Sequence, residues 1–108
     1  MDTDKTVLLD AIKRDISLIV PENASALLFG SRARGTNRKD SDWDVLILLN
    51  RDGKSSWDDY DNIGYPLNMV FWRYGQDVNT IIQTNEEWQQ KQFTPFYKNV
   101  MQDAIKLI

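Results

Sequence analysis

Apolar residues recur along the chain with two different periods, and the switches between them mark out the elements. Between residues 4 and 20, Leu8, Ala11, Ile12, Ile16 and Ile19 fall at helical spacing, with Thr3 placed to cap the helix and Pro21 to end it. Residues 25–29 (Ser-Ala-Leu-Leu-Phe) read as a buried strand stopping at Gly30. Residues 43–49 (Trp-Asp-Val-Leu-Ile-Leu-Leu) are apolar on both faces beyond Asp44, as a central strand should be. From Trp57 to Tyr74 the period is helical again; Pro66 should kink or split that helix, and Gly75 should end it. Residues 77–83 form a third expected strand. Thr84 or Asn85 then caps a short helix over 86–92, and Thr94-Pro95 opens a last helix with Tyr97, Val100, Met101, Ala104 and Ile108 as its stripe. The order predicts an α/β fold: one domain over 1–108, with a small mixed β-sheet of about three strands packed with helices.

Composition narrows the chemistry. The chain has 108 residues, no cysteine and no histidine. Disulfides, thiolate metal sites, imidazole zinc sites and histidine bases are therefore excluded, and any metal must be held by oxygen. The net charge of −3 disfavours bulk nucleic-acid binding, although Arg32, Arg34, Arg38 and Lys39 cluster. No apolar run is long enough to span a bilayer and the first residues lack a signal-peptide core, so a cytoplasmic protein with no membrane partner is expected.

The chemistry concentrates in residues 27–49, LLFGSRARGTNRKDSDWDVLILL. Asp42 and Asp44 stand at the mouth of the second strand. Two residues apart on a strand, they point to one side, about 7 Å apart along the chain. Carboxylates held that way repel, and a divalent cation between them relieves the cost. Magnesium in particular takes one or two carboxylates plus phosphate oxygens. Gly30 lets a ligand approach the backbone, and Ser31 offers a hydroxyl and an N–H. Arg32, directly after the serine, is the strongest phosphate candidate among the basic residues; Arg38 and Lys39 read equally well as surface charge.

Gly30-Ser31, ten intervening residues, then Asp42-Trp43-Asp44-Val45 resembles the signature of the nucleotidyltransferase superfamily that includes DNA polymerase β, and most closely its minimal single-domain members. The resemblance implies transfer of a nucleoside monophosphate from a nucleoside triphosphate, with ATP the expected donor, to a hydroxyl acceptor. It implies two magnesium ions, with Asp42 and Asp44 as metal ligands and catalytic carboxylates, and Gly30, Ser31 and Arg32 at the nucleotide. It also implies a small helical protein as partner, since minimal members are often the antitoxin of a two-component toxin–antitoxin pair.

One position departs from the pattern. Family members carry a third carboxylate on the strand after the intervening helix, and here that place falls on Asn79, within Gly75-Gln-Asp-Val78-Asn79. An amide brings no charge and takes no proton. Asp77 lies two residues earlier and would reach inward only if the strand is shifted. Two functions are therefore open: an active transferase, or a nucleotide- or partner-binding module of the same fold. Elsewhere Asp58, Asp59, Glu86 and Glu87 read as solvated helix faces, and the tryptophans with Tyr60, Tyr65 and Tyr74 as core or interface residues.

Overall fold

The computed structural model describes residues 3–108, with side chains from Val7 onward. The elements run α1 (Thr3–Ser17), β1 (Ser25–Phe29), α2 (Ser31–Arg34), β2 (Trp43–Leu49), α3 (Trp57–Asp59), a π-helical segment (Tyr60–Gly64), α4 (Tyr65–Arg73), β3 (Val78–Thr84), α5 (Asn85–Gln89), α6 (Pro95–Asp103) and β4 (Ile105–Lys106). The expected cap at Thr3 lies outside the described side chains. Helix α1 ends earlier than Pro21 would require. The Ser17 hydroxyl bonds back to the Arg14 carbonyl, and the chain tightens through Leu18 N–H to Asp15 and Ile19 N–H to Ile16.

The sheet is mixed, in the order β3-β2-β1-β4. Strand β1 runs antiparallel to both β2 and β4, and β2 runs parallel to β3. The fourth strand corrects the expectation of about three. Ala104 leaves the helical region, and Leu107 N–H reaches the Ala26 carbonyl at 2.8 Å. The outer edge of β1 thereby gains a partner and Leu107 becomes buried, which outweighs the helical period that placed Ile108 on α6.

Each sheet face carries its own core. On one, Trp43, Val45, Ile47, Leu49, Ala26 and Leu28 pack under α1 and α4, with Ile12, Ile16, Leu67 and Phe71. On the other, Leu46 packs with Leu27, Leu48 and Ile81 under Trp88 of α5 and Val100 of α6. Each such aliphatic or aromatic side chain contributes about 1.5–3 kcal/mol on burial. That β2 is buried on both faces is why its sequence is apolar without alternation.

The acidic residues of α3 and α5 are mostly not solvated faces. Asp59 is buried and takes the Arg51 guanidinium at 3.0 and 2.5 Å, together with the Ser56 N–H at 2.8 Å. The Arg51 hydrogen bond, above all, holds the Asp59 carboxyl below the ordinary carboxylate range. Glu87 accepts from Thr84 N–H and Ser55 N–H at 2.9 and 3.0 Å, and Glu86 accepts from Gly53 N–H at 2.5 Å. Burial pushes Glu87 upward, but the bonds from Thr84 and Ser55 outweigh it and leave the carboxyl lowered. These carboxylates brace the 50–56 turn; only Asp58 remains a plain exposed acid.

Candidate functional site

The site forms where β1 ends and β2 and β3 begin. Trp43 is buried in the core, its ring 5.6 Å from that of Phe71 and its Nε1–H donated to Gln76 Oε1 at 3.0 Å. With Trp43 pinned on one face, strand alternation turns Asp42 and Asp44 to the other. The parallel register places Asn79 beside Asp44. The Asn79 amide donates to Asp44 Oδ1 at 3.2 Å and, more weakly, to Asp42 Oδ2 at 3.4 Å. Both carboxylates therefore converge on one point, as the sequence expects, and the amide nitrogen occupies it.

Gly30 closes the floor. Its φ of 77° and ψ of −158° lie in a region open essentially to glycine alone. A Cβ built there would overlap the Asp44 carboxylate. The side chain of Asp44 thus lies directly over the Gly30 backbone, which explains why glycine precedes Ser31. Ser31 then starts α2, a single turn closed by Ala33 and Arg34 N–H on the Gly30 carbonyl and ended by Gly35 at φ 75°.

Arg32 does something the sequence did not reveal. Its Nε and Nη2 donate to the Ser41 carbonyl at 3.0 and 2.7 Å, Nη2 also approaches the Lys39 carbonyl at 3.3 Å, and the guanidinium lies 4.5 Å from the centre of the Trp43 ring. Burial lowers its pKa, with Asp42 pulling the other way, but an arginine stays charged. Arg32 clamps the loop that delivers Asp42. The other basic residues disperse: Arg34 pairs with Asp103 of α6 at 3.1 Å, while Arg38 and Lys39 are exposed.

Asp77 is not brought to this point. Its carbonyl accepts from Trp43 N–H at 2.9 Å, and the residue lines a separate depression with Lys39, Asp40, Ser41, Gly75 and Gln76. The strand is not shifted, and Asn79 holds the third position. Among the described residues no cluster of three or more acidic, histidine or cysteine side chains forms. The donors that do converge are hard oxygens, two carboxylates and the Asn79 carbonyl oxygen if the amide turns over. That set fits one magnesium ion completed by phosphate; a second ion would depend on oxygens from the substrate.

Comparison with known proteins bears on the family and the fold. The sequence model of the nucleotidyltransferase domain matches residues 8–106. A protein named "Putative protein adenylyltransferase MJ0604", from Methanocaldococcus jannaschii, is 30% identical over 78 residues, covering 72% of this chain and 71% of that protein. A crystal structure described as a toxin–antitoxin with AMP-PNP superposes with a TM-score of 0.62 at 18% identity, over 93% of this chain and 72% of the other. That likeness establishes a shared fold. Together with a domain match that runs through β1, the Gly-Ser turn, the paired aspartates and β3, it leaves one assignment: the chain belongs to the nucleotidyltransferase family.

Proposed function

We propose that this protein transfers a nucleoside monophosphate, in the simplest case AMP from ATP, to a hydroxyl group on another protein, with Asp42 and Asp44 holding magnesium. The observation that carries the reading is the convergence of both carboxylates on one point above Gly30. Magnesium bound there would neutralise phosphate charge and orient the triphosphate. Gly30 gives the phosphates access to the backbone, Ser31 offers its hydroxyl and N–H, and the Arg32 guanidinium, held by the loop carbonyls near Asp42, adds positive charge beside them. The acceptor oxygen attacks the α-phosphorus, the bond to the bridging oxygen breaks, and pyrophosphate leaves. The acceptor proton goes to solvent or to one of the two carboxylates, because Asn79 cannot take it.

The protein acceptor and ATP are supported by the descriptions of the M. jannaschii relative and of the AMP-PNP complex. The description of the AMP-PNP complex also supports an antitoxin role in a two-component pair; the small helical partner and the cytoplasmic location rest on the sequence and its family resemblance alone. A second reading, a binding module with lost turnover, is favoured by Asn79 in the third position. Titration calorimetry with AMP-PNP tests the common part. Binding should require magnesium and weaken at least tenfold in Asp44→Asn; equal binding without magnesium, or in Asp44→Asn, would refute the site.

A further inference from the structure

The two edges of the sheet are finished differently. Strand β4 is two residues long and carries Lys106, which is how an edge is commonly blunted. Strand β3 has only β2 as a neighbour, and its seven residues, Val-Asn-Thr-Ile-Ile-Gln-Thr, include no charge, proline or glycine. The Trp43 N–H bonds to the Asp77 carbonyl at 2.9 Å, a register that turns the backbone groups of Asn79, Ile81 and Gln83 toward β2. Those of Val78, Thr80 and Ile82 point outward, and among the described residues none bonds to them. Thr84 closes the run, its N–H taken by the Glu87 carboxylate at 2.9 Å.

Strand alternation gives this edge two flanks. Thr80 and Ile82 lie beside Val45 and Ile47, on the sheet face of α1 and α4, and line a depression of about 320 Å³ with Ser55, Ser56, Trp57 and Tyr60. Trp57 is 84% exposed there. Asn79 and Ile81 point to the opposite face, where the Asn79 amide touches Asp44 and Asp42. One end of the open edge therefore lies in the candidate site, and its middle borders an aromatic-walled hollow. Only another extended chain presents N–H and C=O groups in the alternation, and at the strand spacing of about 4.8 Å, that such an edge accepts. A helix cannot, because its backbone groups are already paired.

We propose that the acceptor protein is held by strand addition: an extended segment pairs with Val78, Thr80 and Ile82 and carries its reactive hydroxyl on the flank of Asn79. The inference rests on the nucleotidyl-transfer reading and names the form in which the acceptor enters. The hydroxyl-bearing residue stands opposite Asn79, with its Cα about 4.5 Å from that of Asn79 in an antiparallel pairing, and so beside the amide that touches both carboxylates. An apolar side chain an odd number of residues away falls on the other flank and fills the depression between Trp57 and Ile82. Backbone pairing supplies affinity with little regard to sequence, and the depression supplies the preference. The step is unchanged: the hydroxyl oxygen bonds to the α-phosphorus, pyrophosphate leaves, and the proton goes to solvent or to a carboxylate.

Peptides selected from a displayed random library against the full chain test it. They should protect the amides of Val78, Thr80 and Ile82 from hydrogen exchange. Those with a serine, threonine or tyrosine an odd number of residues from an apolar one should take label from ATP labelled at the α-phosphorus. Thr80→Pro removes an outward N–H and leaves the β2 ladder whole, so it should weaken these peptides about tenfold. Trp57→Ala, at an exposed position that the fold does not need, should do the same through the depression. Magnesium-dependent AMP-PNP binding should be unchanged in both. If the wild type binds AMP-PNP but no peptide is selected, or the peptides leave these amides exchanging freely, or edge-bound peptides take no label, strand addition of the acceptor is overturned. Protection of the same amides without peptide, in a chain that sediments as a dimer, would give the edge to a second copy and overturn it as well. A wild type that fails to bind AMP-PNP with magnesium would instead sink the nucleotide reading, and this inference with it.

Discussion

Replacing Gly30 by alanine tests the floor of the site. The residue sits at φ 77°, ψ −158°, and the added Cβ would overlap the Asp44 carboxylate while coming within 3.1 Å of its Cγ. Adopting that backbone costs a non-glycine residue about 1–3 kcal/mol. The lower entropy of the unfolded alanine chain returns about 0.4–1 kcal/mol. The net loss should be about 1–2 kcal/mol, or roughly 5–10 °C in Tm for a domain of this size. Relief is available by swinging Asp44 aside, which would spare stability and spoil the convergence with Asp42. Magnesium-dependent AMP-PNP binding should therefore fall by at least tenfold. Gly35→Ala is the control: it also has positive φ, at 75°, but nothing lies within 4 Å of its Cβ. It should cost about 1–2 kcal/mol for the left-handed backbone and leave binding intact. Thermal unfolding and calorimetry on both variants decide. If Gly30→Ala binds like the wild type, or if the two variants lose binding equally, the close approach of Asp44 to Gly30 has no functional meaning.

Three further outcomes follow from named contacts. Asn79→Asp puts a third carboxylate beside Asp44 and should raise nucleotidyl transfer at least tenfold in a labelled-nucleotide assay; an unchanged or lower rate would show that the amide is suited to the reaction as it stands. Arg32→Lys keeps the charge but loses the fork on Ser41 and Lys39, so hydrogen exchange at residues 39–42 should rise; lost nucleotide binding with unchanged exchange would move Arg32 from the loop to the phosphate. Asp59 is held below its unfolded value of about 3.9, so its contribution is present above that pH and is lost as pH falls through the lower folded value. Asp59→Asn should cost about 1–2 kcal/mol at pH 7, and the loss should shrink as pH falls through the lowered folded value, by urea unfolding; a loss that does not change with pH would discount the Arg51 pair.

Where a residue's surroundings are set by its neighbours in the chain, the sequence is a reliable guide. Strands β1 and β2 are continuous apolar runs, and they lie where those runs lie. The Asp42–Asp44 pair follows from strand alternation alone, and Asn79 from the register of a motif. Features made by distant contacts were not legible. Strand β4 exists because β1 has an edge to fill, which no local pattern in Ile105-Lys106 announces. Arg32 looks like a phosphate ligand until the loop carbonyls fold back onto it. Asp59 and Glu87 look like surface acids because their partners, Arg51 and Ser55, lie in a turn of no regular period. Trp43 and Trp88 are core residues as expected, while Trp57 and Trp72 are exposed, and amphipathic spacing alone could not tell an inner stripe from an outer one once the π-helical segment had added a residue.

The most direct test compares ATP labelled at the α-phosphorus with ATP labelled at the γ-phosphorus. Each is incubated with the protein, magnesium and a cell extract, and the extract proteins are separated. The account predicts label on an acceptor protein from the α position only, and none in Asp42→Asn or Asp44→Asn. Label arriving from the γ position would make the protein a phosphotransferase, and no transfer from either position would leave it a binding module; either result contradicts nucleotidyl transfer at the Asp42–Asp44 site.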